Sequence, residues 1–208
     1  MYIPKAFRQD DISVLHKLMR EYSFVTLVTQ HEGVPFATHL PCLLDAERGP
    51  YGTLLAHMAR ANPQWHDFAS AQEVLVIFQG PHAYVSPSWY EVELSVPTWN
   101  YAVVHAYGFP RLIEEHEKLY TLLKTLVETH EAKFETPRPF QLPGDYLQKM
   151  LRGIVGFEIE ITRLEGKFKM SQNRTESERE NVIAALRESS DTVAVAELMK
   201  NKLLGTIS

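Results

Sequence analysis

Two β-rich runs, residues 23–29 and 34–40, stand on either side of the short loop Gln30-His31-Glu32-Gly33. Runs of Phe, Val, Thr and Leu joined across a few residues that include Gly read as a β-hairpin. A hairpin is an antiparallel unit, and the rest of the chain keeps the same habit. Leu43 and Leu44 continue toward a third strand, ended by the polar tract 45–50. Residues 52–56 make another strand, and 74–78 a fully apolar one that Gly80-Pro81 turns into 82–85. Residues 101–109 alternate, with Tyr101, Val103, His105, Tyr107 and Phe109 on one face and Ala102, Val104, Ala106 and Gly108 on the other. The small face predicts a close neighbour. Residues 155–161 alternate again, and Arg163 to Gly166 are read as a turn into 167–174. Residues 91–98 carry no period and read as a loop.

Helices fall between these hairpins rather than after every strand. Asp10-Asp11 caps a helix to about Tyr22. After Trp65 a short helix ends near Ser70, and 114–131 form a helix with Leu119, Leu122, Leu123, Leu126 and Val127 on one stripe. A short helix is expected at 145–151. Thr175 and Glu178 make a capping box for a helix to Glu188, and Ser190-Asp191 caps a last helix to about Leu204, ended by Gly205. Strands paired as hairpins argue against a doubly wound parallel sheet. The expected class is mainly β with helical additions: an antiparallel barrel, residues 1–174, followed by a C-terminal helical pair, residues 175–208.

Composition narrows the function classes. Net charge is −5 over 208 residues, with a pI near 6.0, so nothing global draws the chain to nucleic acid or an anionic membrane. No apolar run approaches the roughly 18 residues of a membrane span. There is no leader-like apolar segment, and the expectation is a cytoplasmic protein. The single cysteine, Cys42, removes an intramolecular disulfide and a cysteine-based zinc site. Nine histidines show no metal-ligand spacing, and no nucleophile elbow, Walker loop or dinucleotide fingerprint is present. No catalytic residue and no metal ligand is assigned. The last two helices have helix-turn-helix spacing, but residues 174–208 hold five Arg or Lys against six Asp or Glu. DNA binding is therefore not signalled by charge.

Three segments place cations beside hydroxyls, amides and aromatic rings. The first is His57-Met58-Ala59-Arg60-Ala61-Asn62-Pro63-Gln64-Trp65, the second Trp99-Asn100-Tyr101, the third residues 167–174. A phosphate needs charge with directional donors, and a flat ring needs aromatic walls. Singly, each segment also reads as a packed strand end or turn. Together they point to a phosphorylated aromatic ligand, with His57, Arg60, Asn62, Trp99, Asn100, Tyr101, Lys169, Ser171, Gln172 and Arg174 as candidate binding residues.

Those segments, with Met1-Tyr2-Ile3-Pro4-Lys5, Ala37-Thr38-His39-Leu40-Pro41, Tyr84-Val85-Ser86-Pro87-Ser88-Trp89-Tyr90 and Val96-Pro97-Thr98, carry a resemblance over nearly the whole chain. The sequence resembles the FMN-binding split-barrel superfamily, which includes the pyridoxine-phosphate oxidases, and within it the PaiB branch. The resemblance implies a Greek-key split barrel that forms a homodimer, with FMN at the subunit interface, and a negative transcriptional regulator in bacteria. It implies that the phosphate is held near His57, Arg60 and Asn62 and near Lys169, Ser171, Gln172 and Arg174, with Trp99, Asn100 and Tyr101 bordering the ring. The oxidases' own Arg-x-x-x-Leu-Lys phosphate run is absent. Flavin-dependent oxidation, and binding of haem or another small ligand, stay open as alternatives.

Overall fold

In the computed structural model, which describes residues 1–70, 72–90 and 95–200, the hairpin is present and tighter than expected. Strand β2 (Phe24–His31) pairs antiparallel with β3 (Val34–Asp45), so only Glu32 and Gly33 remain in the turn. Both have positive φ, 51° and 81°, the geometry of a two-residue primed turn whose twist suits paired strands. Leu43 and Leu44 do not start a new strand. They prolong β3, which pairs with β2 through Pro41 and then with β4 (Thr53–Ala59) through Cys42 to Asp45.

Two further turns expected from glycines are absent. Strand β5 runs unbroken from Val74 to Val85, and β7 unbroken from Ile154 to Lys169. The glycines serve close approach instead. A Cβ on Gly80 would lie 3.0 Å from the Ala102 carbonyl oxygen and 3.0 Å from Leu18 Cδ1, and one on Gly166 would lie 2.6 Å from the Gln9 carbonyl oxygen. The strands are thus fewer and longer than the turns expected at Gly80 and Gly166 imply. With the short β1 (Arg8–Gln9) and the long β6 (Thr98–Ile113) there are seven, in the order β1-β7-β4-β3-β2-β5-β6. Strand β6 also pairs with β7, which makes six strands a closed cycle of neighbours. Every register established is antiparallel, as the split-barrel reading requires.

The chain divides into two compact units. One holds Met1–Tyr22, Phe78–His105 and the chain from Glu165 onward. Helix α1 (Ile12–Glu21) starts where Asp11 accepts from the Ser13 and Val14 amides, and it buries Val14, Leu15, Leu18 and Met19. Helix α4 (Glu176–Leu186) opens with the expected Thr175–Glu178 capping box. Helix α5 (Val193–Lys200) follows Thr192, whose carbonyl accepts the Ala196 amide; the end placed at Leu204 and Gly205 lies outside the described residues. So do residues 91–94 of the expected loop, while Thr98 already belongs to β6.

The other unit holds Ser23–Ile77 and Ala106–Leu164. Here the small residues of β6 meet β7 as their alternation predicts: a Cβ on Gly108 would lie 2.2 Å from the Glu160 carbonyl oxygen. Helices α2 (His116–Glu131) and α3 (Gly144–Arg152) build a second apolar cluster from Leu119, Leu122, Leu126 and Leu151, packed against Leu43, Leu55 and Ile113. Gly156 admits α2, since a Cβ there would meet Leu119 Cδ1 at 2.5 Å.

Candidate functional site

Of the ten candidate residues, His57, Arg60 and Asn62 belong to the second unit and the other seven to the first. His57 lies inside β4, opposite Gly156, on the strand face it shares with Leu55. Its Nδ1 is buried with no partner, and burial holds the imidazole below its ordinary value, favouring the neutral ring. Arg60 closes the junction of α3 with β7. Its Nε donates to the Arg152 carbonyl at 2.9 Å, its Nη2 to the Ile154 carbonyl at 2.8 Å, and its amide to the Gly153 carbonyl at 2.9 Å. Helix α3 leaves its last carbonyls without internal donors, and a guanidinium fork suits them.

Asn62 donates to Thr38 Oγ1 at 2.8 Å and accepts the Gln64 amide at 3.0 Å, starting a 3-10 segment, Pro63–Ser70. That segment buries Gln64 completely. The Gln64 amide nitrogen reaches the Leu27 and Phe36 carbonyls and Thr29 Oγ1, pinning both strands of the hairpin. Trp65 donates from its indole to the Arg60 carbonyl and lies over His66, with ring centroids 3.6 Å apart. With Phe68, Arg111 and Leu112 these rings line an open cleft of about 340 Å³.

In the first unit the structure joins the other two segments. Asn100 is wholly buried on β6, its amide facing Ser171 Oγ at 3.0 Å and Met199 Sδ at 3.4 Å. Ser171, also buried, turns the chain out of β7 with a φ of 60°. Gln172 folds back onto that strand end, accepting the Met170 amide at 2.7 Å and donating to the Phe168 carbonyl. Arg174 pairs with Glu178 at 3.3 Å, donates to Ser95 Oγ, and lies 4.1 Å over the Tyr90 ring. These four side chains organise the exit from β7.

Trp99, Tyr101 and Lys169 differ, because their functional groups face outward. Trp99 is half exposed and is flanked by His82 and Tyr84, with ring centroids 6.0 and 6.1 Å away. Lys169 donates to Thr98 Oγ1. Lys167 stands on the same face of β7, its Nζ 5.3 Å from the Tyr101 ring and 5.6 Å from that of Tyr2, within cation–π range. Burial first, and Lys167 second, hold the Lys169 ammonium below the ordinary lysine value. An anion seated here relieves that repulsion, while the neighbouring rings offer stacking surface. The donor set therefore fits a phosphorylated flat ring. Lys167, His82, Tyr84 and Tyr2 were missing from the sequence-derived set. The signal was the spacing of Lys167 and Lys169 by two, hidden once Gly166 was read as a turn.

No cluster of three metal-ligating side chains occurs among the described residues. Cys42 is buried, and desolvation pushes its thiol up to about 12, leaving it protonated and unreactive. Among the described residues no helix is long and apolar enough to cross a membrane.

The sheet topology defines a mainly antiparallel split-barrel protein with helical additions. The chain belongs to the family whose model is described as "Putative FMN-binding domain", which matches residues 1–163. It is 41% identical over 206 residues to the protease synthase and sporulation protein PAI 2 of Bacillus subtilis, with 98% of each chain covered. That relative represents the PaiB branch expected from the sequence, and FMN is the cofactor that the family description assigns. Among solved structures, the FAD and heme binding protein of Mycobacterium smegmatis matches with a TM-score of 0.59 at 16% identity, covering 86% of this chain and 79% of that one. The flavocytochrome Anf3 of Azotobacter vinelandii matches with a TM-score of 0.56 at 15% identity, covering 84% and 73%. At such identities the likeness is one of fold.

Proposed function

We propose that this chain is a PaiB-type FMN-binding protein, a cytoplasmic homodimer that holds flavin at the subunit interface and serves bacterial transcriptional regulation. The observation that carries the reading is the outward face of β6 and β7, where Lys167 and Lys169 share one side of the strand and the Lys167 ammonium lies 5.3 Å from the Tyr101 ring. In this reading Lys169, with Lys167, takes the phosphate, and Trp99 and Tyr101 border the ring. Asn100, Ser171, Gln172 and Arg174 fix the strand ends that present them. His57, Arg60 and Asn62 are the remaining candidates for contacts to the flavin. Residues 1–174 form the flavin domain, and 175–208 the helical extension that transmits its state.

Bound FMN supplies a redox-active, light-absorbing ring. The test is an absorption spectrum of the purified protein, followed by titration of the apoprotein with FMN while flavin fluorescence is monitored. Quenching that saturates at one flavin per subunit, with a dimeric mass by light scattering, supports the reading. A colourless protein that leaves flavin fluorescence unchanged overturns it. Rapid reduction of the bound flavin by a nicotinamide nucleotide would favour an oxidoreductase instead. A salt-sensitive, promoter-specific gel shift would support direct DNA contact, against the net charge of −5.

A further inference from the structure

A cavity of about 140 Å³ lies between α1 and α5, and none of the candidate flavin residues lines it. Its walls are Val14, Leu18, Pro81, Phe168, Ala194 and Leu198. All are apolar, and Val14, Leu18 and Phe168 are deeply buried. A cavity of roughly 150 Å³ with such a lining stays dry and accepts a benzene-sized guest. This one is therefore large enough for the side chain of a leucine or phenylalanine.

Its mouth is polar in a specific way. Lys17 and Glu21 flank it from one helix, at the i,i+4 spacing that puts two side chains on the same edge. Tyr22 stands beside them, its phenol bonded to the Glu21 carboxylate. Glu197, on the facing helix, is already neutralised by Arg187 at 2.5 Å. That leaves one cation and one carboxylate to meet a ligand above an apolar chamber.

We infer that this cavity is a binding site for a small apolar α-amino acid, or a zwitterion of that shape. The ligand's carboxylate meets Lys17, its ammonium meets Glu21, and its side chain fills the space between α1 and α5. Occupancy ties α5, and with it the C-terminal helical pair, to α1. Charge complementarity favours the zwitterion over a simple amine or acid, because either of those leaves one of the two mouth charges unmatched.

Calorimetric titration of the full-length protein with L-leucine and L-phenylalanine tests this, beside glycine, 3-methylbutylamine and 4-methylpentanoate. Saturable binding of leucine or phenylalanine is expected. Glycine should give no signal, and the amine and the acid should each bind at least about tenfold more weakly, as loss of one charge-assisted contact requires. Ala194→Phe, at an exposed position on the cavity wall, should abolish binding while circular dichroism and FMN titration stay as in the parent. Lys17→Gln and Glu21→Gln should each weaken it by about tenfold. No heat with either amino acid at millimolar concentration overturns the assignment. So does an amine or acid that binds as tightly as leucine, or undiminished binding to a folded Ala194→Phe protein.

Discussion

Lys167 and Lys169 stand two residues apart on one face of β7, and the Lys167 charge, after burial, holds the Lys169 ammonium below the ordinary lysine value. Strand geometry sets such residues roughly 6.6 Å apart along the chain, close enough for the Lys167 charge to raise the cost of charging Lys169. The arrangement is poor for an isolated domain and good for one that meets an anion.

Removing either charge should therefore weaken FMN. Lys169→Ala is expected to reduce affinity by about 10- to 100-fold, the range for one lost charge-assisted contact. Lys169→Arg should recover most of it. Binding should also weaken with added salt. Fluorescence titration at several ionic strengths reads all three effects, and unaltered affinity in the alanine variant would remove this lysine from the site.

The same pair makes a proton-linkage expectation. Lys169 is held below its ordinary value in the folded chain, so between the folded and unfolded values the unfolded state binds more protons. Its contribution therefore disfavours folding at neutral pH and is relieved as pH rises through that window. A bound phosphate favours the ammonium and raises the value again. FMN binding at alkaline pH should consequently draw protons from solution, measurable as a dependence of the binding heat on buffer ionisation enthalpy.

His31 gives a linkage of opposite sign. Its Nδ1 lies 2.7 Å from Asp67 Oδ1, and Thr29 donates to the other Asp67 oxygen at 2.7 Å. The Asp67 bond first, and its charge second, raise His31 above the ordinary histidine value of 6.5. The gain in stability is fully present below the unfolded value and disappears as pH rises through the folded one. Proton NMR should place the His31 midpoint above 6.5, and Asp67→Asn should bring it down. A midpoint unchanged by that substitution would break the link.

Two glycine substitutions should differ by mechanism. Gly108→Ala drives a methyl to 2.2 Å from a carbonyl oxygen of β7, whereas Gly156→Ala meets the tip of Leu119 at 2.5 Å. Backbone in a paired strand cannot step aside, but a leucine methyl can rotate. Gly108→Ala is expected to cost about 3 kcal/mol or to prevent folding, and Gly156→Ala about 1–2 kcal/mol. Denaturant unfolding decides the order.

Arg60→Ala should loosen the α3–β7 junction. Two guanidinium bonds to carbonyls are lost at a solvent-exposed site, an expected cost of about 1–2 kcal/mol. Lysine cannot reproduce the fork, so Arg60→Lys should recover little. Faster hydrogen exchange confined to residues around 150–156 would mark the effect as local.

Much of the fold was legible because period-2 alternation and helix caps are local signals. Asp11, the Thr175–Glu178 box and the small face of β6 all read directly. What failed was the meaning of glycine. Gly80 and Gly166 sit in extended strands where a neighbour leaves no room for a Cβ, and sequence cannot distinguish that need from a turn. The candidate site suffered for the same reason, since a broken β7 hides the shared face of Lys167 and Lys169. Arg60 and Asn100 carried the right chemistry for a ligand, but their hydrogen bonds run to residues far away in sequence, Arg152 and Ser171. No local pattern reports such partners.

Cys42 gives the molecule a practical property. Its thiol is enclosed and protonated at ordinary pH, so maleimide and nitroxide reagents should ignore it. A single cysteine introduced at an exposed position such as Ser88 or Glu188 then becomes the sole reactive handle, with the native background left intact. Spin-label or fluorophore distances across the proposed dimer, and any displacement of the C-terminal helices on ligand addition, become measurable without first stripping the protein of its own sulfur.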